Sequence, residues 1–496
     1  MEISRKRSVK EQFVERKTMF TTVLLILLLF PLSLILINNK HDWGDDFSQY
    51  LDQARDFVNA DFQSIDVVDA QGYAPPSRGE GFSLLLSPLL AFGATIQGYL
   101  LLVSISLMCL GMVLHRFFLE RLPSGTPLLL SVLLVLVFVY NYQVLQLKTE
   151  ILTVFPFMAV LYGSFILFQK TQMIYRVLLG ILCGVTLSIA LVGLSLYCVV
   201  VLHALYLWIR SEKQKNYLPF LSAISIPLLT YFSIQGIVLH KPTLEGLFWY
   251  KPIYVSADLS SSILKNIHLY YLSLTYFFEQ EIWWWANLIL KIVVPVLIVV
   301  GIVVRLRKQI RIEDLFLIAY LAALVCYPYQ NSGIRFLLPL VPILLLYLME
   351  GVMAISPVIR SSKFILSICF FTALLLSNWN NFLSLLHTSH SPSYGPQHKD
   401  AKEAFVYLKA HAESREIVGF AKPWALHYYS GNPGMPIEQN DSAAELSKKM
   451  AHYILLSTDP GNSEIYSAKL SKDINENTDY EKIWQNAGFA LYEKNN

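Results

Sequence analysis

Apolar positions along the chain fall into long unbroken runs separated by short polar segments. The first run, 19–38 (MFTTVLLILLLFPLSLILIN), follows a polar, basic stretch over 1–18 carrying Arg5, Lys6, Arg7, Lys10, Arg16 and Lys17. It is too long for the apolar core of a signal peptide, and no small-residue cleavage site follows it. The pattern predicts an uncleaved signal anchor with its N-terminus in the cytoplasm. Further runs lie near 96–114, 126–141, 150–168, 174–190, 191–209, 218–238, 287–304, 314–328, 335–353 and 362–380. A membrane-crossing helix needs roughly 17–25 residues, so the count comes to about eleven spans. The stretch 173–210 divides into two, with Gly193 as the expected break.

The loops between the runs alternate in charge. Every second loop is basic: Arg116 and Arg121; Lys170 and Arg176; Arg210, Lys213 and Lys215; Arg305, Arg307, Lys308 and Arg311; Arg360 and Lys363. Cytoplasmic loops carry the excess of Lys and Arg, so this alternation fits a cytoplasmic N-terminus. The loops 39–95, 142–149, the short break at 191–193, 239–286 and 329–334 then face outward, and an odd number of spans places the polar tail outside as well.

That tail, 385–496, has the periodicities of a small α/β domain. Residues 399–412 (KDAKEAFVYLKAHA) repeat apolar positions at helical spacing, and a second helix fits 441–450. EIVGFA (416–421), HYILLS (452–457) and FALYEK (489–494) read as short strands. The predicted fold class is thus an all-α polytopic membrane protein with a small extracytoplasmic α/β domain. Its parts are a basic N-terminus (1–18), a transmembrane domain (19–384, with outer loops 39–95 and 239–286) and a periplasmic domain (385–496).

Composition agrees. Of 496 residues, 54% are hydrophobic and 15% charged, against about 25% charged in an ordinary soluble domain. Mean hydropathy is +0.46. A disordered chain, a collagen-like chain and a typical cytosolic enzyme are excluded; a lipid bilayer is the implied partner. Net charge is only +3 and no basic stripe appears, so nucleic acid is not an expected partner. Cys109, Cys183, Cys198, Cys326 and Cys369 all lie in apolar runs, which indicates neither a disulfide framework nor a metal cluster.

The unusual ionisable residues collect on the outer face. Asp45 and Asp46 open an amphipathic stretch, 45–60, whose Phe47, Tyr50, Leu51, Ala54, Phe57 and Val58 recur at helical spacing. Such a helix would lie in the outer interface plane. Carboxylates there can cap the helix and offset its dipole, or one can serve as a general base, its affinity for a proton raised by its neighbour. Glu150 sits at the outer end of the fourth span, with Lys148 two residues earlier as a partner or phosphate contact. Arg335 opens the tenth span on the outer side, against the positive-inside bias. It is either a snorkelling anchor or a phosphate clamp, since guanidinium binds phosphate oxygens in pairs. Arg78, in the Pro/Gly-rich turn GYAPPSRGEG, is a solvated residue or a contact to an anionic head group. The aromatic loop 239–286 reads as an interfacial belt or a lid, with Lys251 and His268 as weaker binding candidates. No GxxxxGK[ST], HExxH or CxxC motif occurs, which weighs against a nucleotide-driven pump and an intramembrane zinc protease.

Four stretches together resemble the GT-C superfamily of membrane glycosyltransferases, in particular the bacterial branch related to protein O-mannosyltransferases and aminoarabinose transferase. They are GDDFSQYLDQA, the turn running into GFSLLLSPLL, KTEILTVFPF and GIRFLLPLVPILLLY. The resemblance implies transfer of a sugar from a polyprenyl-phosphate-linked donor to a lipid, glycan or protein acceptor on the outer side of the bacterial inner membrane. It implies that Asp45 or Asp46 is the base, that Glu150 supports it or the acceptor, and that Arg335 holds the donor phosphate. No cofactor or metal is expected, although some relatives bind a divalent cation at the acidic pair. The sequence departs from the family pattern at Trp424, where a Lys-Pro-Arg segment is usual, and in SIALVGLS, which lacks a basic residue. The alternatives are a transporter or flippase, which calls for an internal repeat and mid-span polar residues, and a non-catalytic binder of lipid-linked saccharides.

Overall fold

Helix-forming apolar stretches and a late mixed sheet make up the computed structural model. It describes residues 45–59, 81–122, 158–163, 173–210, 218–233, 259–276, 284–326, 334–359 and 395–495, with short gaps and a few isolated positions between 20 and 43. The chain divides into two compact units: 1–37, 101–145 and 149–388 form one, and 38–100, 146–148 and 389–496 form the other. The second unit thus joins the first long loop to the C-terminal segment, a grouping that local sequence patterns do not suggest.

In the first unit, α3 (Ile96–Leu119, which starts in the second unit) is followed by α4 (Met173–Ile189), α5 (Leu191–Arg210) and α6 (Leu218–Ser233). Next come α7 (Leu259–Tyr276), α8 (Trp284–Leu306), α9 (Ile312–Val325), a 3-10 turn (Ile334–Leu337) and α10 (Val341–Ile359). Among the described residues α3 alone is long and apolar enough to cross a membrane by itself; several shorter apolar helices accompany it. The expected spans at 126–141 and 362–380 and most of 19–38 lie outside the described residues. Within 173–210, α4 ends at Ile189 and α5 begins at Leu191, ahead of Gly193. That glycine instead packs on the backbone of Thr186 and Leu187, where a Cβ has no room. The stretch 239–286, expected as a loop, contains the 18-residue α7. The tenth run does not begin as an α-helix at residue 335: the 3-10 turn comes first and α10 starts at Val341. α8 and α10 cross backbone to backbone, Gly301 against Tyr347 and Gly351 against Leu297, with Val294, Leu297, Leu348 and Val352 buried beside them.

In the second unit, α1 (Asp45–Asn59) and α2 (Gly81–Ala91) precede the C-terminal elements. These are α11 (Lys399–His411), β1 (Val418–Phe420), α12 (Pro423–Ser430), β2 (Gly434–Pro436), α13 (Ala443–Lys448), β3 (Tyr453–Ser457), α14 (Ala468–Glu476), β4 (Tyr480–Gln485) and β5 (Phe489–Lys494). The sheet order is β2-β1-β3-β5-β4, with β1 parallel to β2 and β3 and β5 antiparallel to β3 and β4. All five residues of β3 are buried because both faces are covered. Tyr453 and Leu455 join a core with Phe405 and Leu408 of α11, while Ile454 and Leu456 join another with Leu446 of α13 and Leu470 of α14. Strand alternation with period two divides the side chains between these layers. α2 occupies the segment expected as a turn leading directly into the second span.

Candidate functional site

The acidic pair forms the first two residues of α1. Trp43, 3% exposed, lies just before it and Phe47 just after it, also buried. Trp43 inserts into the core of the C-terminal domain, its ring 5.6 Å from that of Phe420, 5.9 Å from Phe489 and 6.3 Å from Phe405. Phe47 meets Tyr99 edge-on at 6.2 Å and Tyr50 meets Phe82 at 4.9 Å. The Ser83 hydroxyl donates to Gln53 Oε1 at 2.7 Å. All residues from 47 to 54 are buried. The amphipathic pattern therefore does not mark a helix lying half-exposed on a membrane: protein covers its polar side too. The first-turn backbone N–H groups of α1 favour negative charge where Asp45 and Asp46 stand; their side chains lie outside those described.

The polar side of α1 meets α12. Asp52, 2% exposed, places Oδ2 2.6 Å from Nδ1 of His427. Arg55 donates through Nη2 to the Tyr428 carbonyl at 2.7 Å, stacks over the Tyr428 ring at 4.3 Å, and lies 3.5 Å from Asp52 Oδ1. Burial pushes the Tyr428 phenol above its ordinary range, and the Arg55 guanidinium opposes that shift. Burial likewise raises Tyr429. α12 is held at both ends, by Pro423 in its first turn and by Gly431 just past it at φ 82°, the left-handed region that favours glycine. Sequence reasoning missed Asp52, Arg55 and His427. The only signal was a polar stripe of Gln49, Asp52 and Asp56, which a helix on a bilayer surface would carry equally.

In the other unit, Arg335 stands on the 3-10 turn, whose neighbouring Phe336 carbonyl accepts from Tyr320 of α9 at 3.0 Å. The Arg335 side chain is outside the described residues. α7 lies against this turn, and Asn266 Nδ2 ties it to the Val325 carbonyl at 3.0 Å. His268 is exposed on α7. Glu150, Lys148, Arg78 and Lys251 lie outside the described residues. Among the described residues, no group of three or more His, Cys, Asp or Glu side chains is placed to hold a metal ion.

The same unit contains a buried ion network. Glu313 at the start of α9 is fully buried and accepts from Arg121 in a two-pronged contact, 2.8 Å from Nε and 3.3 Å from Nη2. Arg305 pairs with Glu313, with Asp314 at 3.4 Å and with Glu350 at 3.3 Å; Tyr347 donates to Asp314. The network joins the C-terminal ends of α3 and α8 and the start of α9 to the middle of α10. The sequence counts Arg121 and Arg305 among the basic residues of the loops; in the structure both side chains are buried.

No protein-family model matches the chain, and no curated protein matches it. Solved structures do. The crystal structure of ArnT from Cupriavidus metallidurans bound to undecaprenyl phosphate aligns with a TM-score of 0.56 at 10% identity, covering 95% of this chain and 97% of that one. The oligosaccharyltransferase of Archaeoglobus fulgidus, in the apo form, aligns with a TM-score of 0.53 at 10% identity, covering 89% and 69%. Both are GT-C glycosyltransferases. The likeness shows the fold, and the chain has the GT-C fold.

Proposed function

We propose that this GT-C-fold chain is a membrane glycosyltransferase of the bacterial inner membrane, which moves a sugar from a polyprenyl-phosphate donor to an acceptor on the outer side. The observation that carries the reading is the acidic pair at the first turn of α1. It is held between Trp43 and Phe47, both buried, in a chain whose fold is that of such transferases. ArnT, one of the structural neighbours, holds undecaprenyl phosphate. A catalytic base must occupy one place, and a helix terminus fixed by aromatic packing provides one.

In this reading Asp45 or Asp46 takes the acceptor hydroxyl proton as the oxygen attacks the anomeric carbon, and polyprenyl phosphate departs. Arg335 stabilises the charge growing on the departing phosphate. Glu150, with Lys148, supports the acceptor or the acidic pair, while Arg78, Lys251 and His268 are secondary contacts. No resident metal is part of the proposal. The acceptor is a lipid, a glycan or a protein.

The test is sugar transfer in membranes, supplying polyprenyl-phosphate sugars and following release of polyprenyl phosphate. General-base catalysis is worth about 10²–10⁴-fold, so Asp45→Asn or Asp46→Asn should lower the rate by that factor while the protein still accumulates. Arg335→Ala should lower it by about 10²–10³-fold, as for other groups that stabilise transition-state charge. Asp variants with wild-type rates would make the acidic pair a helix cap and sink the proposal.

A further inference from the structure

We propose that Asp52 and His427 form a positioning pair that fixes α1, and so the acidic pair at its first turn, against the C-terminal domain. The proposal rests on the transferase reading above and adds residues to it. Asp52 is seven residues beyond Asp45, two helical turns along, which returns it to nearly the same face about 10 Å away. It therefore acts through the helix and not on a reacting group.

Three features make the pair more than an incidental contact. Asp52 is nearly inaccessible, and a buried carboxylate needs a partner. At 2.6 Å from His427 Nδ1 it has a short bond, in which the imidazole N–H donates to the carboxylate. The partner sits in α12, whose ends are fixed by Pro423 and Gly431 and whose Tyr428 carbonyl receives Arg55, one turn further along α1. On its remaining sides α1 is gripped by Phe82, Ser83 and Tyr99. The pair and Arg55 are thus the polar half of a clamp whose apolar half is aromatic. Without the pair, the helix keeps its apolar grip and the bonds of Gln53 and Arg55, but loses the shortest of the polar bonds that fix its rotation and its position along its axis.

The experiment uses the full chain in detergent or membranes, with Asp52→Ala, His427→Ala, the double variant and His427→Asn, which keeps an N–H donor at the δ position. Small misplacements of reacting groups cost about a hundredfold in rate, so each alanine variant should lower kcat roughly tenfold to a hundredfold. KM for the polyprenyl-phosphate sugar should change less than about threefold. The double variant should be no worse than either single one, because the two side chains act as a unit. His427→Asn should recover most of the rate. Hydrogen exchange supplies a readout independent of turnover: amides of α1 should lose protection in the alanine variants while those of α11 keep it. If the wild type turns over no donor, the transferase reading fails on its own, and the exchange arm still decides whether the pair fixes α1. Alanine variants with unchanged α1 protection and unchanged kcat, or losses that add in the double variant, would overturn the proposal.

Discussion

Replacing Trp43 by alanine tests the link between the first long loop and the C-terminal domain. The indole is 3% exposed and its ring lies within 6.3 Å of three phenylalanine rings. A buried tryptophan removes about 150–250 Å² from water. At about 25 cal/mol per Å² this is worth about 4–6 kcal/mol as an upper figure. Truncations of large aromatic side chains in protein cores cost about 3–5 kcal/mol. A domain stable by about 5–15 kcal/mol would lose a large share of its stability. Each 1.4 kcal/mol is tenfold in an equilibrium constant, so the opening equilibrium should rise about a hundredfold to several thousandfold. The assay is native-state hydrogen exchange on the full chain, followed at amides of α11, β1 and β5, whose side chains surround the indole. Those amides should exchange faster by that factor, and Trp43→Phe should recover part of the loss. A change below tenfold throughout the domain would show that Trp43 is not part of this core.

Two further outcomes are expected in the helical unit. Gly301→Ala or Gly351→Ala puts a methyl group against opposing backbone at the α8–α10 crossing; overpacking of this kind costs about 1–3 kcal/mol, read as a lower thermal midpoint in detergent, and an unchanged midpoint would refute the close approach. Glu313→Gln should cost about 3–5 kcal/mol by removing the buried carboxylate that Arg121 and Arg305 share, although Arg305 keeps Asp314 and Glu350, whereas replacing Arg121 and Glu313 together by apolar residues of similar volume should cost much less; equal losses in the two proteins, measured by the same melting experiment, would mean that the charges do not act together.

Much of the local structure was legible because it depends on residues near in sequence. α11 follows from Ala401, Ala404, Phe405 and Leu408, which recur at helical spacing and are all buried. β3 follows from its run of apolar residues. α12, α14, β2 and β4 were not legible: α12 and β2 are too short to show a period, and α14 and β4 are largely polar. The 45–60 helix was legible as a helix but not in its surroundings, because Trp43, Asp52 and Arg55 find partners more than 350 residues away. Arg121 and Arg305 gave no sign of their buried carboxylate partners because those lie on other helices.

The place of Trp43 in the C-terminal core also sets an order of events during synthesis. Phe405 lies 362 residues after Trp43. At about 5–20 residues per second, the ribosome reaches it roughly 20–70 s later. For that interval the indole and the polar side of α1 exist without the domain that receives them. Docking of the first loop is therefore a late step in assembly, and it depends on the last hundred or so residues. A polypeptide ending before α11 would retain the acidic pair with nothing for Trp43 to enter. Expressed alone, the segment 389–496 would have the opposite defect, a core lacking its tryptophan.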